Sequence, residues 1–225
     1  KKRKLLVIFR GINTEYFAQN YVSEMKLKNQ IKAWKIDKND FIILLPGRLT
    51  KWKGHIVFIE ALNILNKQNK TKSFSAIILG NNPNKKVYYQ KLLSLVEKYG
   101  LNKKIKFVPF CKEMPTAYKL ADVVVSASIE PEAFGRVSIE AQSMEKPIVA
   151  SDIGGSKETI IQHQSGLLFK SGDAMSLAEK LKEILNLHDK SLKLMGIEGR
   201  KNVLKKFNVE KMCNSTFIEY KKLIN

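Results

Sequence analysis

The sequence predicts an α/β fold, a parallel sheet with helices on both faces, and three observations predict it. From Asp40 onward, short β-branched runs alternate with longer amphipathic stretches, the pattern of βα units wound around a parallel sheet. Those runs are apolar almost without interruption, as strands covered on both faces are. After Ser171 the strand signals stop and only helical periodicity continues. A chain of 225 residues, 44% of them hydrophobic, is long enough for one sizeable core and too apolar for intrinsic disorder.

Residues 1–39 read as a first strand, Leu5 to Phe9, and a linker through Arg10, Gly11, Ile12 and Asn13 that leads into the sheet. Strands are then expected at Phe41 to Pro46, Phe74 to Leu79, Ile105 to Val108, Val123 to Ser126 and Pro147 to Ser151, with a short one at Gly166 to Phe169. Helices are expected between them at His55 to Lys67, Lys86 to Tyr99, Thr116 to Leu120, Arg136 to Met144 and Ser156 to Gln162. Right-handed crossovers join such units, so residues 40–171 make one Rossmann-like unit. Residues 172–225 form a helical tail: Ala174 to Leu187 behind Asp173 as N-cap, Ser191 to Phe207, and Glu210 to Leu223.

Lys and Arg number 40 against 21 Asp and Glu, a net charge of +19. Such a surplus points to an anionic partner, whether nucleic acid, an acidic membrane leaflet or a phosphorylated small molecule. The lysines are spread along the chain among Asn and Ile, as in Leu101 to Lys106, so a general residue bias with solvated lysines accounts for them as well. No zinc-finger spacing or aromatic RNA-binding signature accompanies the charge, which argues against nucleic acid. Cys111 and Cys213 are too few for a disulfide framework or a cysteine zinc site, and a reducing, cytoplasmic setting is expected. Runs such as Phe41 to Leu45 fall far short of the ~20 residues that span a bilayer. No signal-peptide core follows Lys1 to Lys4, so export by this N-terminus is not expected.

In an open α/β sheet, ligands bind beyond the carboxyl ends of the strands, where helix-start amides face outward. After the strand at Phe41 stand Gly47, Arg48, Leu49, Thr50, Lys51, Trp52, Lys53 and Gly54. Arg48 offers a planar fork and Lys53 a compact charge, a pair suited to a diphosphate, while Gly47 and Gly54 allow tight turns. Two solvated basic residues in a loop are the plain alternative. After the strand at Val123, Glu132 precedes Phe134, Gly135, Arg136 and Val137, and Glu140 follows. Gly135 opens a helix whose free amides from Phe134 to Val137 suit phosphate oxygens. Glu140 lies about 7.5 Å further along the axis, five residues on, so the two carboxylates flank an anion seated at the helix start. A helix-dipole partner (Glu132) and an exposed helix glutamate with an i,i+4 neighbour (Glu140) are their plain alternatives. A third loop, Ser151, Asp152, Ile153, Gly154, Gly155 and Ser156, permits close backbone approach to a ligand or is a plain turn with Ser156 as helix cap.

These three loops, in this order, resemble the C-terminal nucleotide-sugar-binding domain of the retaining GT-B glycosyltransferases of glycosyltransferase family 4. The matching motifs are Gly47-Arg48-Leu49-x-x-x-Lys53-Gly54, Glu132-x7-Glu140 around Phe134-Gly135, and Ser151-Asp152-x-Gly154-Gly155. The resemblance implies that Arg48 and Lys53 hold the diphosphate, Glu132 the donor sugar and Glu140 the ribose, with the amides of Phe134, Gly135, Arg136 and Val137 on phosphate and sugar oxygens. It places the base near Gly80, Val108 and Phe110. Two departures stand out: Glu145 replaces a glycine common after the second-Glu helix, and Asn13 stands where the linker often has Asp.

The resemblance further implies transfer from a UDP-sugar or GDP-sugar with no cofactor. The expected site carries no Asp-x-Asp metal pair, and His55, His163 and His188 are dispersed. It also implies a facing N-terminal Rossmann-like domain, outside these residues, that supplies the sugar or lipid-linked acceptor site and toward which the last helix turns. An isolated chain is then expected to bind without transferring, with cell-envelope polysaccharide or lipopolysaccharide synthesis as its setting and contact with an anionic membrane as a use for its charge. A non-catalytic nucleotide-sugar-binding module and a basic nucleic-acid-binding domain remain the competing readings.

Overall fold

The structure, a computed structural model, describes residues 5–37, 39–68, 72–80, 86–109 and 111–224. Six parallel strands form one sheet: β1 (Phe41–Pro46), β2 (Phe74–Leu79), β3 (Ile105–Val108), β4 (Val123–Ser126), β5 (Ile148–Ser151) and β6 (Gly166–Phe169), in the order β3-β2-β1-β4-β5-β6. Between them lie α2 (His55–Lys67), α3 (Lys86–Lys98), α4 (Met114–Leu120), α5 (Arg136–Ser143) and α6 (Ser156–Thr159), and after them α7 (Ala174–Leu185), α8 (Asp189–Lys206) and α9 (Val209–Ile224). The six strands predicted from Phe41 onward are all present.

Their side chains alternate between two cores, as the period of two requires. Ile43, Leu45, Ala76, Ile78, Val123 and Val125 point to one face, where they meet buried residues of α2, α3 and α7. Ile42, Leu44, Ile77, Leu79 and Val124 point to the other, against α4, α5 and the end of α8. Asp173 caps α7 as expected, its carboxylate accepting from the Ser176 amide at 3.0 Å.

Four expectations are corrected. Leu5 to Phe9 forms no strand: Leu5, Leu6 and Val7 are exposed, and no sheet edge lies beside them to pair their backbone groups. The linker instead makes a single bridge at Ile12, whose amide donates to Phe207 O at 2.9 Å between the end of α8 and the start of α9. A helix the sequence reading passed over, α1 (Glu24–Trp34), follows Ser23, whose hydroxyl accepts from the Lys26 amide. The helix expected at Ser156 to Gln162 stops at Thr159, and Ser156 is its first residue rather than its cap, with Gly155 before it. Other helix ends move by one or two residues, as fraying ends do.

Both departures in the motifs find their place. Glu145 adopts a left-handed backbone, φ 55°, the conformation that favours glycine. Asn13 accepts the Glu15 and Tyr16 amides through Oδ1, at 3.0 and 2.9 Å, which the Oδ of an Asp would do equally. Among the described residues, no helix is long and apolar enough to cross a membrane.

Candidate functional site

The strand order reverses between β1 and β4, so the loops that leave these strands diverge and open a crevice at the carboxyl edge. Gly54 and Ala127 bring the loops together there. Gly54 has φ 71°, and a Cβ on it would stand 1.7 Å from Ala127 O. A backbone bond from Ile129 N to Trp52 O, 2.8 Å, closes the contact. Gly47 differs from the sequence reading: its Cβ would meet Lys53 Cδ at an ordinary 3.5 Å, and its φ is not positive, so the turn does not require glycine. Gly80 does require it, with φ 148° and Gly47 O only 1.9 Å from where its Cβ would be.

Lys53 and Glu132, read from the sequence as separate ligand groups, are paired. Lys53 Nζ lies 2.8 Å from Glu132 Oε1, both side chains being mostly buried, and Ser128 Oγ donates to the same oxygen. The Trp52 ring centroid is 4.3 Å from the Lys53 ammonium. Arg48 is exposed in the same loop, and among the described residues no ion pair or side-chain hydrogen bond engages it.

Gly135 opens α5 as expected, at φ 75°. The first amide of this helix to find a backbone partner is that of Ser138, which donates to Gly135 O at 3.0 Å. Among the described residues this leaves the Arg136 and Val137 amides without a backbone acceptor, ready for an anion. Gly154 and Gly155 serve this loop rather than facing open space. The Gly155 amide donates to Glu132 O at 2.8 Å, and Cβ atoms on the two glycines would strike Glu132 O and Phe134 C at 2.5 and 2.6 Å.

Beside the α5 start lies a cleft of about 680 Å³, lined among others by Glu140, Arg136, Phe134, Asn13, Tyr16 and Met114. Glu140 is buried, not exposed. Its Oε2 accepts from Tyr118 Oη at 2.8 Å, and its Oε1 accepts from Arg136 Nε and Nη2 at 3.1 and 2.8 Å. Burial pushes its carboxyl above the ordinary glutamate range, against the Tyr118 hydrogen bond and the Arg136 charge. Burial likewise raises the Tyr118 hydroxyl well above its ordinary value, and the Glu140 charge adds to it. Arg200 fixes the opposite wall, donating from Nη1 to Phe17 O at 3.0 Å.

The structure thus gathers Arg48, Lys53 and Glu132 at the crevice and Phe134, Arg136 and Glu140 along the cleft, with the α5 start between them. Val137 is half-buried at that start. Gly80 and Val108 do not line the cleft: Val108 closes β3 in the core, and its carbonyl accepts from the Gly80 amide at 2.9 Å. Phe110 lies outside the described residues. Sequence reasoning missed Tyr118, Ser128 and Tyr16. Tyr118 stands 22 residues before Glu140 on another helix, so no local spacing announces their contact. Among the described residues, no group of three or more His, Cys, Asp or Glu is placed to hold a metal.

Comparison with known proteins places this geometry. Residues 27–202 match the family described as Glycosyl transferases group 1. The chain is 27% identical over 211 residues to the capsular polysaccharide biosynthesis glycosyltransferase CapM of Staphylococcus aureus, covering 92% of this chain and 53% of that protein. The crystal structure of a glycosyltransferase from Rickettsia africae ESF-5 superposes over 100% of this chain and 59% of its own, with a TM-score of 0.94 and 31% identity. The fold is shared with Anabaena Alr3699/HepE in complex with UDP-glucose, TM-score 0.85 at 24% identity, over 96% of this chain and 57% of that one. This chain spans about half the length of the curated relatives it matches. A family match that runs from α1 through most of α8, and so takes in all three strand-end loops, shows that the chain belongs to the Glycosyl transferases group 1 family.

Proposed function

We propose that this chain is the C-terminal, donor-binding half of a retaining, metal-independent glycosyltransferase of glycosyltransferase family 4, taking a UDP-sugar or GDP-sugar. One observation carries the reading: a buried Glu140 carboxylate that lines the cleft and a Lys53–Glu132 pair outside it flank in sequence the Phe134–Val137 segment, whose Arg136 and Val137 amides find no backbone acceptor among the described residues. A nucleoside diphosphate sugar presents ribose hydroxyls, a diphosphate and sugar hydroxyls in that order. Glu140 accepts from the ribose, the Arg136 and Val137 amides with Arg48 and Lys53 hold the diphosphate, and Glu132 accepts from the sugar. Transfer breaks the bond between the anomeric carbon and the diphosphate oxygen, and a new bond forms to the acceptor oxygen as its hydroxyl loses a proton. The charge gathering on the leaving diphosphate meets fixed donors, each lowering the barrier by roughly 3 kcal/mol.

The acceptor site belongs to the partner half. Holding donor and acceptor in one geometry contributes on the order of 7–11 kcal/mol, so this chain alone binds donor without transfer. The exposed apolar residues of α9, Phe217, Ile218, Leu223 and Ile224, support a further surface that meets that half. Synthesis of cell-envelope polysaccharide or lipopolysaccharide on the cytoplasmic face is the setting, supported by the likeness to CapM. There the net charge of +19 draws the chain to anionic lipid.

Calorimetry with UDP, GDP and their sugars tests the donor reading, and absence of binding to all of them removes it. Measurable transfer by the chain alone moves the acceptor site into this domain. Co-sedimentation with anionic but not neutral vesicles, weakening as the Debye length shrinks from ~10 Å at about 0.1 M salt to ~3 Å at about 1 M, supports the membrane role. Equal binding to neutral vesicles returns the lysines to solvated surface.

A further inference from the structure

The two oxygens of Glu140 are held by partners of opposite character. Tyr118, which donates to Oε2 at 2.8 Å, is fully buried in the core. Arg136 donates through Nε and Nη2 to Oε1, yet its side chain is 67% exposed while that of Glu140 is 9% exposed. The inner oxygen is therefore fixed, and the outer oxygen is covered by a side chain that only one helical turn and solvent restrain. Arg136 can leave Oε1 by swinging its exposed side chain, whereas Tyr118, fully buried, cannot leave Oε2. With Arg136 in place, the oxygen that faces the cleft already accepts from two N–H groups and has little left for a ligand hydroxyl. Arg136 is also the first residue of α5, beside the Arg136 and Val137 amides that lack a backbone acceptor among the described residues.

We propose that Arg136 is an exchangeable counter-ion: it neutralises Glu140 in the free chain and passes to the diphosphate when nucleoside hydroxyls take its place on Oε1. This rests on the donor reading above and deepens it by assigning the Arg136 side chain a positioning role of its own. A bare nucleoside must break the ion pair and leaves Arg136 with nothing to hold. Pyrophosphate must draw Arg136 away from Glu140 and leaves that carboxylate uncompensated. Only a ligand carrying both parts satisfies both side chains, so the two parts bind cooperatively and the cleft favours the nucleoside diphosphate over either fragment.

The test is calorimetry on the 225-residue chain at pH 8, comparing wild type, Arg136→Met and Glu140→Gln, each checked for an unchanged circular dichroism spectrum. The ligands are uridine, guanosine, UDP, GDP and pyrophosphate. In Arg136→Met the preferred nucleoside diphosphate should bind about tenfold more weakly, the loss of one charge-assisted contact, while its nucleoside binds about threefold more tightly. In Glu140→Gln, pyrophosphate should bind several-fold more tightly, because Arg136 no longer has a competing anion. A parallel loss of nucleoside and nucleoside diphosphate in Arg136→Met would show that Arg136 only holds Glu140 in place, and would overturn the exchange. Unchanged pyrophosphate affinity in Glu140→Gln overturns it independently, whether or not the methionine variant folds. If wild type binds neither UDP nor GDP, the donor reading falls and this proposal with it; if wild type binds one of them and the responses do not split, only the exchange falls.

Discussion

Lys53 and Glu132 form an ion pair, Nζ to Oε1 at 2.8 Å, that bridges the loop after β1 to the loop after β4 across the point where the strand order reverses. The pair holds the crevice in shape and sets the two groups one contact apart. Any anion that engages Lys53 is therefore next to the Glu132 carboxylate.

Arg48→Ala and Lys53→Ala should each weaken UDP or GDP binding by about 1.5–3 kcal/mol, the worth of a hydrogen bond to a charged group. Lys53→Ala should cost the more, because it also leaves Glu132 without its counter-ion beside the bound anion. Titration of both variants checks this, and unchanged affinity in both removes the diphosphate assignment.

Glu140→Ala should weaken binding of the nucleoside diphosphate itself, whereas Glu132→Ala should act mainly on the full sugar nucleotide. Glu140 lines the cleft, whereas Glu132 lies outside it and pairs with Lys53. Equal losses of UDP or GDP in the two variants would contradict this placement.

Gly54→Ala should lower stability by at least ~2 kcal/mol, since its left-handed backbone disfavours a side chain and the new Cβ would overlap Ala127 O. At roughly 2–4 °C per kcal/mol for a chain of this size, the melting temperature should fall by several degrees. Gly47→Ala, with only an ordinary contact to Lys53, should stay within about 0.5 kcal/mol. Thermal unfolding of the two variants compares them directly, and an equal effect would refute the distinction.

His55 is fully buried at the start of α2, and its ring nitrogens make no well-formed hydrogen bond among the described residues. Burial lowers its pKa from 6.5 to about 4, opposed by a weak contact to the Thr50 backbone and aided by the nearby Lys53 charge. The unfolded chain then binds more protons than the folded one between those values, so stability is lost as pH falls through that window. The loss amounts to about 3 kcal/mol. Denaturant unfolding from pH 7.5 down to about 4 should show this fall, and His55→Phe should flatten it. A slope unchanged in that variant would place the acid sensitivity elsewhere.

What the sequence determined by itself was everything that local periodicity and local backbone chemistry encode. Runs such as Phe41–Pro46 and Phe74–Leu79 read as strands covered on both faces, Asp173 as a helix cap, Gly54 as a tight turn and Gly135 as a helix start. The positions of Arg48, Lys53, Glu132 and Glu140 at the carboxyl edge follow from the same order of elements. Tertiary structure alone decided how those groups are engaged. Leu5 to Phe9 has strand composition but stays exposed and unpaired among the described residues, while Ile12 just after it is bridged to the junction of α8 and α9. Gly154 and Gly155 press on the backbone of Glu132 and Phe134. Tyr118 on α4 buries and fixes Glu140 on α5, and Lys53 meets Glu132 from a loop 79 residues away. Hydrogen bonds and ion pairs act over a few ångströms in space, and the winding of the sheet sets which distant residues come that close.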